Sequence, residues 1–593
     1  MKQEIVNLQN VMKEKGIDAW IAPSADAHQS EYVAEYDSCR KYLSGFTGSA
    51  GTLVVLKDSA FLWTDGRYFT QAPIQLAGSG IEVMKMGEKG VPTILEFLET
   101  NMKKGEVLGF YGKLFGVAEG ESYETKLIQK GISLKIDEDI VDIIWKDRPK
   151  RNANKIWSLV EYCGEDILSK IDRVRKSVKE NGADLILVSS LSDIAWLTNL
   201  RGSDIETNPL FLSYLAICSD CAKLFVQKEA LTDEIKEYFS KNNVEINDYD
   251  KWYDFVATFE NKKIFIDRTE CNFTTYKLIK DKNEIICGVS PLTLMKIIKN
   301  DTEIANFKKA HIRDGVYMTR FTKWVRENVA AGKKMNEVDA SDYLDNLRLA
   351  DEKSVSLSFD TIAGYADNGA IVHYKAKRET AKLLEAKGLY LYDSGGHYLD
   401  GTTDVTRTTA LGETTFEERL HYTLVTVSML RLLNARFKQG AIGLNLDTFA
   451  RQRLWEYGLD YNHGTGHGVG FCNTVHEGPN SIRFRANPDF ERNVELKAGM
   501  VLSDEPGVYI EGKHGIRMEI LVVVVEDEVD GFLKFDCLTY APIDPNPLEI
   551  SAMRDEEIEL YNNYQADVYK KLSPYLNDEE KEWLKNETRK ISR

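Results

Sequence analysis

No stretch of this 593-residue chain reaches the roughly 18–20 uninterrupted apolar residues that a membrane-crossing helix requires; even the run ILVVVV at 520–525 is only strand-length. The opening residues, MKQEIVNLQNVMKEKG, read as an amphipathic helix and lack the apolar core of a signal peptide, so a cytoplasmic protein without a membrane partner is expected. Basic residues are in the minority, 76 against 93 acidic for a formal charge of −17, and no long Lys/Arg run concentrates the opposite sign. A polyanionic ligand such as nucleic acid is therefore disfavoured. Prolines number only 13, beside 43% hydrophobic and 28% charged residues, which excludes fibrous or disordered material. The eight cysteines are scattered, without the density of a secreted disulfide scaffold, so reduced thiols are the simplest reading. Cys218 and Cys221 form a C-x-x-C in the turn between two apolar runs, but no second pair completes a zinc site.

What is present is length enough for several cores, since one domain usually takes about 100–200 residues. The first segment alternates the strand-like runs AWIAP (19–23), TLVVL (52–56) and AFLWT (60–64) with helical stretches, as an α/β domain does. It ends near WKDRPKRN (145–152), a basic, proline-bearing linker composition. A second cycle follows, with a helix near 165–180, then ADLILVSS, DIAWLTNLRG and LFLSYLAI, in the order of the first. The expected layout is two duplicated α/β domains, 1–150 and 151–300, followed by a third domain over 301–593. In that third domain Asn300 and Glu303 make a capping box, and Phe321, Trp324 and Val325 share a buried helix face. A second long helix is expected after Thr414, with Glu417 as its box partner, ending near Gly440. Beyond about 550 the charged composition predicts solvent-exposed terminal helices.

Three elements of this third segment carry chemistry. Residues 389–409, LYLYDSGGHYLDGTTDVTRTT, read as two strand runs joined by glycine-rich turns, each presenting one aspartate, Asp393 and Asp404. Asp393 shares a strand face with Leu389 and Leu391, where a carboxylate needs a compensating cation; turn capping by both aspartates is the alternative. HGTGHGVG (463–470) sets His463 and His467 among glycines, and seven of the nine histidines fall between 373 and 514. LSDEPGVYI and GIRMEILVVVV put Glu505 at a strand-to-turn junction and Glu519 at the head of an apolar run. Arg517 is either a structural partner of that carboxylate or a group that orients a ligating one. Four carboxylates and one imidazole form a hard donor set able to hold two ions about 3.5–4 Å apart, and the reaction class is metal-assisted hydrolysis.

The ordered set Asp393, Asp404, His467, Glu505 and Glu519, with DSGG, TTDVTRT, HGTGHGVG, SDEPGVY and GIRME around it, resembles the pita-bread metallopeptidases. Over nearly the whole chain, WTDGRYF (63–69), IWKDRP (144–149), AWLTNLRGSDIETNP (195–209) and GAIVHY (369–374) resemble the three-domain cytosolic Xaa-Pro aminopeptidases, or aminopeptidase P. The resemblance implies a pita-bread catalytic domain that releases the first residue of peptides with proline second, by means of a hydroxide shared between two divalent ions. Mn²⁺ is preferred, ahead of Co²⁺, Mg²⁺ or Zn²⁺. It implies Asp393 on one ion, His467 and Glu505 on the other, Asp404 and Glu519 bridging, and Glu505 as general base. It also puts His373 and His476 on the substrate carbonyl, His463 in the specificity pocket, Arg517 and Tyr509 behind the ligands, and Arg67 at the substrate entrance. A homodimer is expected on the same ground. One departure is Ile520, where relatives often carry Asn; it leaves all five ligands in place. A prolidase acting on Xaa-Pro dipeptides, and a pita-bread protein that binds peptides without hydrolysis, are the alternatives.

Overall fold

The computed structural model describes residues 1–593 as two compact units, Met1–Val160 with Glu165–Leu292, and Glu161–Gly164 with Thr293–Arg593. The first unit contains two six-stranded sheets. Numbered in chain order within each sheet, both run 4-3-2-1-5-6. In both, strands 1, 2 and 3 pair antiparallel, while 3 with 4, 1 with 5, and 5 with 6 pair parallel. The duplication read from the order of apolar runs is thus a duplication of topology.

The period-two alternation of side chains explains how each sheet is buried on both faces. In the first sheet Trp20, Ala22, Leu53 and Val55 enter one core with Ile5 and Leu8 of the helix Gln3–Lys15. Ala19, Ile21, Val54 and Trp63 enter another with Leu98 and Leu127 from helices on the opposite side. Cys218 ends a strand and Cys221 lies in the tight turn before the next, as the apolar runs indicate.

The second unit opens with the 30-residue helix Asp301–Ala330, whose first turn is closed by the Asn300–Glu303 capping box. Phe321 and Val325 are fully buried, and Trp324 stacks on Tyr343 at 3.9 Å. The second long helix is Phe416–Leu433, one residue later at its start than the sequence pattern suggests: Thr415 and Glu418 make the box. It also stops well short of Gly440. The chain after Asn434 leaves helical geometry and Arg436–Lys438 pairs with Phe532–Cys537, so sheet formation overrides the helical pattern there.

Two sheets carry the chemistry. In one, Leu389–Ser394 lies between Ile362–Tyr365 and Val405–Ala410, antiparallel to both. The other runs, in spatial order, through Arg436–Lys438, Phe532–Cys537, Ile520–Glu526, Val501–Asp504, Gly466–Gly468 and Glu477–Ile482. The terminal helices differ from expectation: Asp555–Leu572 buries Tyr561, Tyr564, Gln565, Val568 and Leu572, and its apolar residues join the same core as Ile520 and Val522. Most of its charged residues stay on the outer face, Glu557 being buried against Arg431 and Arg453, and each large apolar side chain it buries contributes about 1.5–3 kcal/mol.

Candidate metal centre

Strand alternation sets the carboxylates. Asp393 and Asp404 lie at the end and just before the start of the paired strands Leu389–Ser394 and Val405–Ala410, with Asp393 opposite Thr406. Glu519 precedes the strand Ile520–Glu526, its backbone N–H donating to Thr406 O at 3.1 Å. Glu505 follows Val501–Asp504, its N–H donating to Thr465 O at 2.8 Å. His467 occupies the short strand Gly466–Gly468, and Gly466 must be glycine because a Cβ there would lie 1.9 Å from Ser503 O.

The side chains converge. Ligand atoms of Asp404, His467 and Glu519 lie within 4.8 Å of one another. His467 Nε2 is 3.4 Å from Asp404 Oδ2 and 3.6 Å from Glu505 Oε1. His467 Nδ1 donates to Gly468 O at 2.9 Å, which turns Nε2 toward the carboxylates as the atom a cation would take. Asp393 Oδ2 receives Arg517 at 2.6 Å, while its buried Oδ1 has no hydrogen-bond partner.

Burial and mutual repulsion push Asp404, Glu505 and Glu519 well above the ordinary carboxylate range; burial is the larger cause in each, with neighbouring carboxylates next. Groups so crowded cannot all ionise in a protein-only environment. Divalent cations remove that conflict and would occupy the lone pairs of Asp393 Oδ1 and His467 Nε2, so the residues present fit two such ions.

A second layer holds these groups. Arg517 donates to Asp393 and also to Tyr509 Oη at 2.8 Å, and Tyr509 Oη lies 2.8 Å from His463 Nε2. Gly464 O can only accept, so His463 Nδ1 donates to it at 2.8 Å, and in the neutral imidazole Nε2 then accepts from the Tyr509 hydroxyl. His463 Nδ1 is also 3.9 Å from Glu505 Oε2. His476 packs its ring edge-on against His467 with centroids 4.4 Å apart. His373 is half-buried in the irregular segment after the turn Ala366–Ala370, and the carbonyl of its neighbour Val372 receives Arg517 at 3.3 Å. Arg67, in the first unit, is held by Asp65 at 2.8 Å and Glu31 at 3.3 Å.

Three further supports of these side chains are not evident from the sequence. Thr406 donates to Glu519 Oε2 at 2.7 Å and accepts from Arg517 Nε at 3.3 Å. Ser503 accepts from His467 N at 3.0 Å and donates to Glu505 Oε1 at 3.5 Å. Buried Arg407 donates to the carbonyls of Thr406, Glu519, Ala541 and Pro542 and to Tyr564 Oη. Thr406 and Ser503 each lie two residues from a ligand, a strand-period signal; Arg407 left none. The cluster of histidines was also broader than the site: His397 bonds Thr402, and His421 pairs with His514.

Comparison with known proteins agrees with this geometry. The profile "Metallopeptidase family M24" matches residues 305–526, and "C-terminal region of peptidase_M24" matches 531–591. "Creatinase/Prolidase N-terminal domain" matches twice, over 5–142 and 147–303. The chain is 40% identical over 598 residues to Xaa-Pro aminopeptidase ApepP of Drosophila melanogaster, covering 97% of this chain and 96% of that protein. It is 38% identical over 616 residues to a probable Xaa-Pro aminopeptidase P of Paracoccidioides brasiliensis (strain Pb03), covering 99% of each. Among solved structures, the X-prolyl aminopeptidase of Caenorhabditis elegans, described as a cytosolic enzyme with a di-nuclear active site, superposes with TM-score 0.94 at 35% identity over 99% of both chains. A recombinant prolidase from Thermococcus sibiricus reaches TM-score 0.51 at 26% identity and covers 64% of this chain and 98% of its own.

Proposed function

The chain belongs to the Xaa-Pro aminopeptidases of metallopeptidase family M24, and on that premise we propose how its residues release the first residue of a peptide whose second residue is proline. The observation that carries the reading is the extent of the likeness. Relatives named for this activity match from end to end, both N-terminal sheets included, whereas the prolidase fold accounts for 64% of the chain. It is a metal-dependent hydrolase.

Asp393, Asp404, His467, Glu505 and Glu519 would hold two divalent ions. Such ions lower the pKa of water and polarise a carbonyl, supplying nucleophile and electrophilic assistance together. The oxygen-rich donor set supports Mn²⁺, with Co²⁺, Mg²⁺ and Zn²⁺ as weaker candidates. Glu505 accepts the proton of the attacking water on a carboxylate oxygen and passes it to the leaving proline nitrogen. His476, beside His467, and His373, on the segment tied to Arg517, donate hydrogen bonds to the charge developing on the scissile carbonyl oxygen. His463 lines the pocket wall, held by Tyr509; Arg517 orients Asp393 through the hydrogen bond to its Oδ2. Arg67 is assigned to the substrate entrance on the family likeness alone.

A cytoplasmic location is supported by the cytosolic description of the nematode enzyme, and no helix is long and apolar enough to cross a membrane. A homodimer is the proposed assembly, to be read by sedimentation. The deciding assay compares Arg-Pro-Pro with the dipeptide Ala-Pro on Mn²⁺-loaded protein, beside Asp404→Ala and a chelated control. Release of N-terminal Arg, lost in both controls, is expected. Cleavage of the dipeptide alone would make the protein a prolidase, and cleavage of neither would end the Xaa-Pro assignment.

A further inference from the structure

The most deeply buried ion pair of the second unit joins Lys299 to Glu477, with 1% and 0% of the two side chains exposed. Lys299 is anchored from behind: its backbone N–H donates to Gly499 O at 2.9 Å, and the next residue, Asn300, caps the long helix Asp301–Ala330. Glu477 sits at the other end of the contact, in the residue after His476 and at the first position of the strand Glu477–Ile482. That strand pairs with Gly466–Gly468, register His467 with Ser481 and Gly468 with Glu477. One short hairpin therefore carries both His467 and His476.

The hairpin has little room to shift. A Cβ at Gly468 would lie 2.2 Å from Glu477 O and 2.5 Å from Asn480 Oδ1, and one at Gly470 would lie 3.2 Å from Glu477 Oε2. Glu477 Oε2 and Asn480 Oδ1 are buried without hydrogen-bond partners, so Lys299 is the sole group that satisfies the Glu477 carboxylate. A buried carboxylate deprived of its only partner moves toward water or displaces its neighbours, and its covalent neighbour here is His476.

We propose that Lys299 is a positioning residue for catalysis: through Glu477 it fixes the end of the 469–476 loop and holds the His476 ring against His467. The proposal rests on the assignment of His476 to the substrate carbonyl. It distinguishes a pair that merely stabilises the fold from one that aims a histidine, because a buried ion pair replaced on both sides by apolar residues is often neutral or stabilising, whereas breaking one side is not.

The test uses full-length, Mn²⁺-loaded protein and four variants: Lys299→Met, Lys299→Met/Glu477→Leu, His476→Ala, and Lys299→Met/Glu477→Leu/His476→Ala. Each is measured for Tm, bound metal, and kcat and KM on Arg-Pro-Pro. Lys299→Met is expected to lower both Tm and kcat. The double variant is expected to regain Tm and full metal loading while kcat stays about 10–100-fold down, with KM changed by less than about threefold. Adding His476→Ala to it should cost little more, since both changes act through one ring. Recovery of kcat together with Tm in the double variant would overturn the proposal. Unchanged kcat in His476→Ala alone would overturn the assignment of His476 itself, and the proposal with it. If the double variant does not fold, Glu477→Gln replaces it: loss of kcat at unchanged KM supports the positioning role, and unmoved kcat overturns it.

Discussion

Arg517 and Asp393 form an ion pair at 2.6 Å, with side chains 2% and 11% exposed, that joins the hairpin Gly507–Arg517 to the strand Leu389–Ser394. Through Tyr509 the same guanidinium reaches His463, and through Val372 O it reaches the segment bearing His373. One cation thus ties a candidate metal-binding carboxylate to His463 and to the segment that carries His373.

Replacing that cation should be felt at the metal. Arg517→Met is expected to lower kcat about 10–100-fold and to reduce bound metal per chain, read by elemental analysis after gel filtration. Tyr509→Phe removes hydrogen bonds but leaves the ion pair. Its expected cost is about 1 kcal/mol, or roughly fivefold in kcat/KM, at full metal occupancy.

Metal removal should cost stability as well as activity, because the ions bind the folded carboxylate cluster and not the unfolded chain. Tm is expected to rise with free Mn²⁺, by the equivalent of about 2.7 kcal/mol at a hundredfold excess over Kd. Chelation should reverse it. Asp404→Ala, which deletes a group within ligand distance of His467 and Glu519, should show neither activity nor the Mn²⁺-dependent rise in Tm.

His421 and His514 give a pH dependence of stability away from the metal ligands. Their ring nitrogens lie 2.9 Å apart, and both rings are buried. Burial lowers both from the usual 6.5; for His421 the neighbouring His514 and Lys513 lower it further while Glu417 raises it, and for His514 Glu418 and Glu417 raise it while Lys513 lowers it. The unfolded chain then binds protons that the folded one refuses. The stability they contribute is present above about pH 6.5 and is lost as pH falls through their lowered folded values. Between roughly pH 8 and pH 5, Tm should fall less steeply in His514→Phe than in the unaltered protein.

Gly515 tests the support of the His373 segment. A Cβ there would lie 1.7 Å from Gly369 O, in the turn Ala366–Ala370 that leads to His373. Gly515→Ala must push the turn away. Reduced kcat/KM is expected, with metal content retained, because the five ligands lie on other residues; wild-type kinetics would show that the segment's position is not critical.

Much of this molecule was legible in one dimension wherever a local rule applied. The Asn300–Glu303 box, the two strands around Asp393 and Asp404, and the repetition of one α/β pattern follow from capping, alternation and the order of apolar runs, whereas the spatial order 4-3-2-1-5-6 is set by tertiary pairing. The slip from Thr414 to Thr415 reflects two adjacent threonines, each followed three places on by a glutamate, which a linear pattern does not separate. The helix ended early because Arg436–Lys438 found a strand partner almost a hundred residues downstream. The charged C-terminal segment concealed an inner face, since its apolar residues are spaced among acids and lysines and are buried only by the core they meet.

The sequence by itself determined the donor types, their order along the chain and the reaction class they suit, because residue chemistry and strand period are properties of the chain alone. Tertiary structure decided which donors meet and how they are held. The Arg517–Asp393 pair, the Thr406 and Ser503 hydroxyls and the Lys299–Glu477 contact join residues as many as 178 positions apart. Hydrogen bonds and ion pairs act over about 3 Å, and only folding brings groups so distant in the chain within that range.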